Sequence, residues 1–224
     1  MNNTVEISSK ESDRFERCRI LFGDNFSKIQ SAKVIILGVG GVGGYALDCL
    51  YRSGVSDITI VDFDRYDITN QNRQIGSEAV GLYKVEHLKT IYPEVKIINQ
   101  KIDMEWVANT DLNEYDLILD AIDDIKPKVE LIKKYYKKMI SSGGSAKKTD
   151  PTKLEYISLW KTTNDPFLRK IRTMLKKDKF DKNFKVIWSS EVPKIVPKGS
   201  FVGVTGTFGL TMCSIAIDKI INKV

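Results

Sequence analysis

The stretch VDFDRYDITNQNRQI, Val61 to Ile75, places Asp62 and Asp64 at the end of an apolar run and follows them with Asn70 and Arg73. A carboxylate at the tip of a buried strand can accept hydrogen bonds from ribose hydroxyls. A guanidinium is a planar fork that matches phosphate oxygens, and an ammonium is a compact point charge. Arg73 supplies the first. Lys84, in VGLYKVE, supplies the second, where pyrophosphate would leave. Asp123, in LILDAIDD, can hold Mg²⁺ or orient an attacked phosphate. Upstream, GVGGVGG contains Gly38-x-Gly40-x-x-Gly43, with Gly41 inside the run. Such a turn brings backbone N–H groups to phosphates at a helix N-terminus. Asp62 lies 22 residues after Gly40.

Alone, the glycine turn and Asp62 do not separate NAD from ATP. A hydride-transfer enzyme, however, has no task for Asn70, Arg73, Lys84 and Asp123, whereas chemistry on ATP phosphates does. A surface ion pair, a solvated lysine and a helix-capping aspartate each explain one of these residues. They explain poorly why all stand at successive strand ends.

The elements that must position these residues follow from hydrophobic periodicity. Residues 11–30 read as helical, with Phe15, Leu21, Phe22 and Phe26 as apolar contacts. Buried strands are expected at Lys33–Leu37, Ile58–Val61 and Tyr115–Leu119, a further strand at Val95–Gln100 and a short one near Met139–Ser142. Helices are expected at Gly43–Ser53, with Ala46, Leu47 and Leu50 on one face, at Ala79–Ile91 and at Val129–Lys138. This alternation implies an α/β, Rossmann-like doubly wound sheet, mostly parallel, with helices on both faces. Lys153–Trp160 alternates and reads as an antiparallel addition in the C-terminal half. Asp165 and Pro166 are a cap and first-turn pair for a basic helix running to Lys177. Lys185–Ser189 is a late strand before a glycine-rich lead into a final helix.

The 224 residues suit one domain: an N-terminal helical arm (1–30), a nucleotide-binding half (31–145) and a basic substrate-binding and crossover-loop half (146–224). From Lys126 to Lys198 there are 20 Lys and Arg against 7 Asp and Glu, a net of +13. The remainder has 15 against 22, a net of −7. A half this basic reads as a polyanion-binding surface, nucleic acid foremost, or as solvated lysine-rich helices. Cys18, Cys49 and Cys213 are far apart and form no Cys-x-x-Cys pair. That argues against a zinc ribbon or a disulfide scaffold and fits a cytoplasmic protein. The N-terminus is polar and charged, unlike a signal peptide. Ser200–Ile217 is uncharged over eighteen residues, the lower limit for a membrane span, but its glycines and threonines favour a buried terminal helix. His87, Trp160 and Trp188 read as packed or exposed structural residues rather than as a base and stacking platforms.

GVGGVGG, VDFDRYDITNQNRQ, VGLYK and LDAIDD together resemble the ubiquitin-activating-enzyme-like (ThiF/MoeB-type) adenylyltransferases. The resemblance implies that Asp62, Asp64, Asn70, Arg73, Lys84 and Asp123 bind ATP and Mg²⁺ for adenylation of a carboxylate, with the metal at Asp123. RFERCRILFG resembles the family's N-terminal arginine motif, which implies that Arg17 reaches the ATP of a second subunit in a homodimer. DAIDDIKPK, SSGGSAKKTDPTKLEYISLWKTTNDPFLRKIRTMLKK, VIWSSEVP and GVTGTFGLTMCSIAI resemble the tRNA threonylcarbamoyladenosine dehydratases within that superfamily. That likeness implies activation of the threonyl carboxylate beside the anticodon, then intramolecular attack by the carbamoyl group and release of AMP. Phe180 to Gly199 is shorter than that subfamily leads one to expect.

Three rival readings stand beside this one: activation of a ubiquitin-like sulfur carrier, a non-catalytic nucleotide-binding scaffold, and an NAD oxidoreductase. The sulfur-carrier enzymes usually have two Cys-x-x-Cys pairs and often a crossover-loop cysteine, and this chain has neither. The intact Arg73, Lys84 and Asp123 set counts against a scaffold. The expected partners are tRNA and a second copy of the chain, not DNA or a membrane. Some relatives work with a cysteine desulfurase or sulfur-acceptor system, which makes such a system a further candidate partner.

Overall fold

In a computed structural model, residues 13–195, 197 and 199–222 are described. The chain begins with two short helices, α1 (Glu16–Phe22) and α2 (Phe26–Ser31), rather than one. Gly23 separates them at a φ of 54°, a left-handed conformation that ends a helix. Phe26 and Ile29 are buried, but Leu21 is 76% exposed, so its expected role as an apolar contact is not met. Residues 11 and 12 of the expected helix lie outside the described residues.

There follow β1 (Lys33–Leu37), α3 (Gly43–Ser53), β2 (Asp57–Val61), α4 (Lys84–Ile91), β3 (Lys96–Ile98), α5 (Met104–Asn109), β4 (Leu117–Asp120) and α6 (Ile125–Tyr135). The C-terminal half adds β5 (Met139–Ser142), β6 (Leu154–Ser158), α7 (Pro166–Lys177), β7 (Lys185–Ser189) and α8 (Val202–Ile221). The sheet runs β3-β2-β1-β4-β5-β7-β6. Every pairing is parallel except β6 with β7. The doubly wound expectation and its antiparallel addition are both met.

The strand sequences explain the layering. Val34 and Ile36 face one core, with α3, α4 and α8, while Ile35 and Leu37 face another, with α5, α6 and α7. Successive side chains alternate across a strand, so a sheet covered on both faces needs an unbroken apolar run such as KVIIL. α8 is long and apolar enough to cross a membrane, but more than half of it is buried. Val204, Phe208, Met212 and Ala216 face the core. Its Gly209 admits α3 so closely that an added Cβ would meet the Val42 carbonyl at 2.3 Å. The expectation of a buried terminal helix holds.

Three expectations are corrected. The helix expected from Ala79 begins at Lys84, because Gly81 takes a φ of 87° and Leu82 and Tyr83 fold back on Arg65 and Tyr66. α5 was missed; Asp103 caps it by accepting from the Trp106 N–H, and Trp106 and Val107 bury its apolar side. Cys49 on α3 and Cys213 on α8 form a disulfide with Cα atoms 6.1 Å apart, so distance in sequence did not keep them apart in space.

Candidate active site

The strand order reverses between β1 and β4, and in open α/β sheets ligands bind at such a switch point, beyond the strands' C-terminal ends. A cleft of about 630 Å³ lies there. Gly38, Gly40 and Gly41 line it from β1, Asp62 and Asp64 from β2, and Ala121 to Asp124 from β4. Of the expected residues Asn70, Arg73 and Lys84 also line it, while Gly43 and Arg17 do not, and Ser145, Ser200 and Thr205 close it from segments after β5.

The glycine turn is dictated by close approach. Gly38 has a φ of 84°, and an added Cβ on Gly43 would stand 1.8 Å from the Gly38 carbonyl oxygen. Only glycine at both positions lets the chain double back from β1 into α3. At Gly41 the nearest atoms, of Arg73 and Thr205, would stand 3.4 Å from a Cβ, which is ordinary contact.

Asp62 braces this turn. Its carboxylate accepts from the Val39 N–H and from the Asp64 N–H, both at 2.8 Å. Burial pushes its carboxyl above the ordinary value, against the opposing pull of Lys84 and of the two N–H groups. A carboxylate has about four lone-pair sites, so two backbone bonds leave acceptor capacity toward the cleft. Asp64 instead binds Lys84, which is nearly buried and lies 2.8 Å away. The Asp64 carbonyl also accepts from the Lys84 N–H at 2.9 Å, so the first residue of α4 is held at both ends.

Asn70 and Arg73 sit on a short 3-10 turn, Ile68–Asn70, and the loop after it. The Asn70 carboxamide oxygen accepts from the Asp67 N–H, closing a capping box. Arg73 donates to the Thr69 carbonyl at 2.7 Å and to the Asn72 side chain at 2.9 Å. Asn72 in turn donates to the Ser200 carbonyl at 2.9 Å, tying the lead into α8 to the arginine turn. Gln74, on the same cleft wall, has a buried carboxamide oxygen without a hydrogen-bond donor, the one such side-chain atom among the described residues. Buried acceptors are nearly always satisfied, so this oxygen is left able to accept a hydrogen bond.

Asp123 is exposed at the mouth. The helix cap is its neighbour Asp124, which accepts from the Lys126 N–H. Beneath this loop lies a pair that sequence reading missed. Asp120 and Lys128 are fully buried with charged atoms 2.8 Å apart. Asp120 also accepts from Ser141 Oγ at 2.6 Å, and Lys128 donates to the Ile122 carbonyl at 3.0 Å. The pair therefore clamps the segment carrying Asp123. Its signal was present: Lys128 falls on the apolar stripe of α6 with Val129, Leu131 and Ile132, where an unpaired lysine would be costly.

Arg17 is exposed on α1 and does not line this cleft. His87 is on α4, packed edge-on to Tyr66. Trp188 donates to the Thr163 carbonyl and Trp160 to the Lys182 carbonyl, which fixes both as structural. Phe180 to Gly199 contains β7, and Val196 and Lys198 lie outside the described residues.

A ThiF family model matches residues 15–223. The chain belongs to the ThiF family. It is 34% identical to the tRNA threonylcarbamoyladenosine dehydratase of Haemophilus influenzae, over 92% of each chain. The E. coli tRNA N6-threonylcarbamoyladenosine dehydratase, solved with AMP, superimposes with a TM-score of 0.89 at 32% identity, covering 98% of this chain and 99% of that one. The same enzyme solved with ATP gives 0.87 at 31% identity, covering 94% of each. The molybdopterin-synthase adenylyltransferase of Haemophilus influenzae is 32% identical over 57% of this chain and 56% of its own. Among the described residues no group of three or more His, Cys, Asp or Glu side chains converges as a metal cage.

Proposed function

We propose that this chain is an ATP-using enzyme that dehydrates threonylcarbamoyladenosine beside the anticodon of tRNA. The observation that carries the proposal is coverage. Likeness to the Haemophilus influenzae dehydratase spans 92% of the chain, including the basic half, whereas likeness to the molybdopterin-synthase adenylyltransferase stops at 57%.

In this reading ATP lies across the switch point. Ribose hydroxyls donate to the remaining lone pairs of Asp62 and to Gln74. The backbone from Gly38 to Gly43 cradles the phosphates, and Asn70, Arg73 and Lys84 donate to them. Mg²⁺ typically takes one or two carboxylates and completes its shell with phosphates and water. The exposed carboxylate of Asp123 fits that pattern, and the ion would neutralise phosphate charge when bound. The threonyl carboxylate attacks the α-phosphorus, pyrophosphate leaves, and Arg73 and Lys84 balance the charge developing on the phosphate. The carbamoyl group of the same nucleoside then attacks the acyl-adenylate and expels AMP. The tethered nucleophile and the good leaving group reduce the need for a base, in keeping with His87 packed away from the cleft. Arg17 is assigned to the nucleotide site of a second copy.

ATP–pyrophosphate exchange tests the substrate. Exchange that requires tRNA supports the proposal. Exchange that requires a ubiquitin-like carrier protein would replace it with the sulfur-carrier reading.

A further inference from the structure

α6 and α7 run side by side on one face of the sheet, and both begin at the edge that holds the cleft. Asp124 caps α6 immediately after Asp123. Asp165 caps α7 and also accepts from the Gly144 N–H, just past the end of β5. Leu168, Ile171 and Leu175 bury one stripe of α7 against Val129 and Ile132 of α6. The opposite stripe is cationic: Arg169, Lys170, Lys176 and Lys177 are exposed, and no acid occurs between Pro166 and Lys177.

Between the first turn of α6 and the middle of α7 is a groove of about 440 Å³, lined by Ile125, Lys126, Arg169, Lys170, Thr173 and Met174. Among the described residues no carboxylate forms an ion pair with Lys126, Arg169 or Lys170. Farther along the same helices Lys133 is neutralised by Glu130 and Asp178, both at 2.7 Å. Lys126, Arg169 and Lys170 thus stand uncompensated at the end nearest Asp123, and Lys176 and Lys177 extend the cationic face along α7. Protein-binding surfaces are depleted in lysine at their centres. A Lys and Arg track beside a shallow groove suits phosphodiesters instead, with Arg169 as the bidentate fork.

We infer that this α6–α7 groove holds the phosphate backbone of the RNA stem adjoining the modified nucleoside, with Lys126, Arg169 and Lys170 as its contacts. The inference rests on the tRNA reading above and assigns that substrate a surface. Phosphate contacts fix register without reading sequence, so the groove would orient the nucleoside toward Asp123 whatever the stem sequence.

The test is tRNA affinity across a salt series for the intact protein, for Lys126→Gln/Arg169→Gln/Lys170→Gln, and for a control with equal charge loss, Lys137→Gln/Lys185→Gln/Lys219→Gln. The control residues surround a separate cleft at the opposite strand ends. Each lost phosphate contact lowers the slope of log affinity against log salt by about 1. The groove variant should lose about 3 from that slope and roughly tenfold or more in affinity at moderate salt. ATP affinity should be unchanged, which shows that the variant is folded, and the control should keep most of its tRNA binding. An unchanged slope in the groove variant, or an equal loss in the control, overturns the assignment while leaving the tRNA reading intact. Failure of the unmodified protein to bind tRNA at all overturns both.

Discussion

Replacing Lys128 with methionine should separate the fold's stability from the placement of Asp123. The side chain keeps its approximate volume and loses its charge, which leaves Asp120 fully buried without its partner 2.8 Å away. Breaking a buried pair from one side costs about 3–5 kcal/mol. Asp120 retains the hydroxyl of Ser141 at 2.6 Å and the N–H of Ile122 at 3.3 Å. Hydrogen bonds to a charged group contribute about 1.5–3 kcal/mol each, so the loss should fall at the low end, about 3 kcal/mol. For a chain of this size that lowers Tm by about 6–12 °C. The Ile122 carbonyl also loses its donor, so the loop carrying Asp123 loosens and turnover falls. Adding Asp120→Asn removes the stranded charge while keeping an acceptor for Ser141. Stability should then recover by more than half, while turnover stays low because Ile122 is still unanchored. Thermal unfolding and ATP-dependent turnover on the same samples decide it. A Tm within about 2 °C of the parent in the single variant, or recovery of both stability and turnover in the double, would refute the clamp.

Gly43→Ala should abolish nucleotide binding, since its Cβ would stand 1.8 Å from the Gly38 carbonyl, whereas Gly41→Ala should leave the fold intact, its nearest protein neighbours being 3.4 Å away; calorimetric titration with ATP tests the first and thermal unfolding the second. Nucleotide affinity should fall on acidification through a pKa above the 3.8 of an ordinary aspartate, because burial raises Asp62 and its ionised form braces the turn. The stability sign is opposite. The folded chain holds this proton more tightly than the unfolded chain, so the group favours folding below 3.8 and that contribution is lost as pH rises through the raised value. ATP titrations at several pH values, with Asp62→Asn lacking the step, check this. Lys84→Ala and Asp123→Ala should each reduce turnover to background with circular dichroism unchanged, and normal activity in either would remove that residue from the mechanism.

The parallel sheet was readable because each central strand is an unbroken apolar run, and β1, β5 and β7 fall where periodicity placed them. The cleft was readable in part because Asp62 and Asp64 follow the end of β2 and Asp123 the end of β4, whereas Asn70, Arg73 and Lys84 lie not at strand ends, as expected, but on a 3-10 turn, a loop and the start of α4. What was not readable depends on contacts between distant segments. Gly81, two residues after Ala79, was a local sign that α4 starts later, but the pairing of Arg65 with Tyr83 that fixes its start was not legible. The place of Lys128 on the apolar stripe of α6 signalled burial, but the partner it meets, Asp120 on the preceding strand, was not legible. Cys49 and Cys213 meet because α8 returns to α3 across 164 residues. Asp62 was assigned to ribose alone, whereas its first task is to hold the glycine turn.

The most direct test is nucleoside mass spectrometry. The purified protein is incubated with ATP, Mg²⁺ and tRNA carrying threonylcarbamoyladenosine, and the RNA is digested under mild conditions. The account predicts that this nucleoside loses the mass of one water, only with ATP and not with Asp123→Ala. An unchanged nucleoside from protein that binds both ATP and tRNA would contradict it.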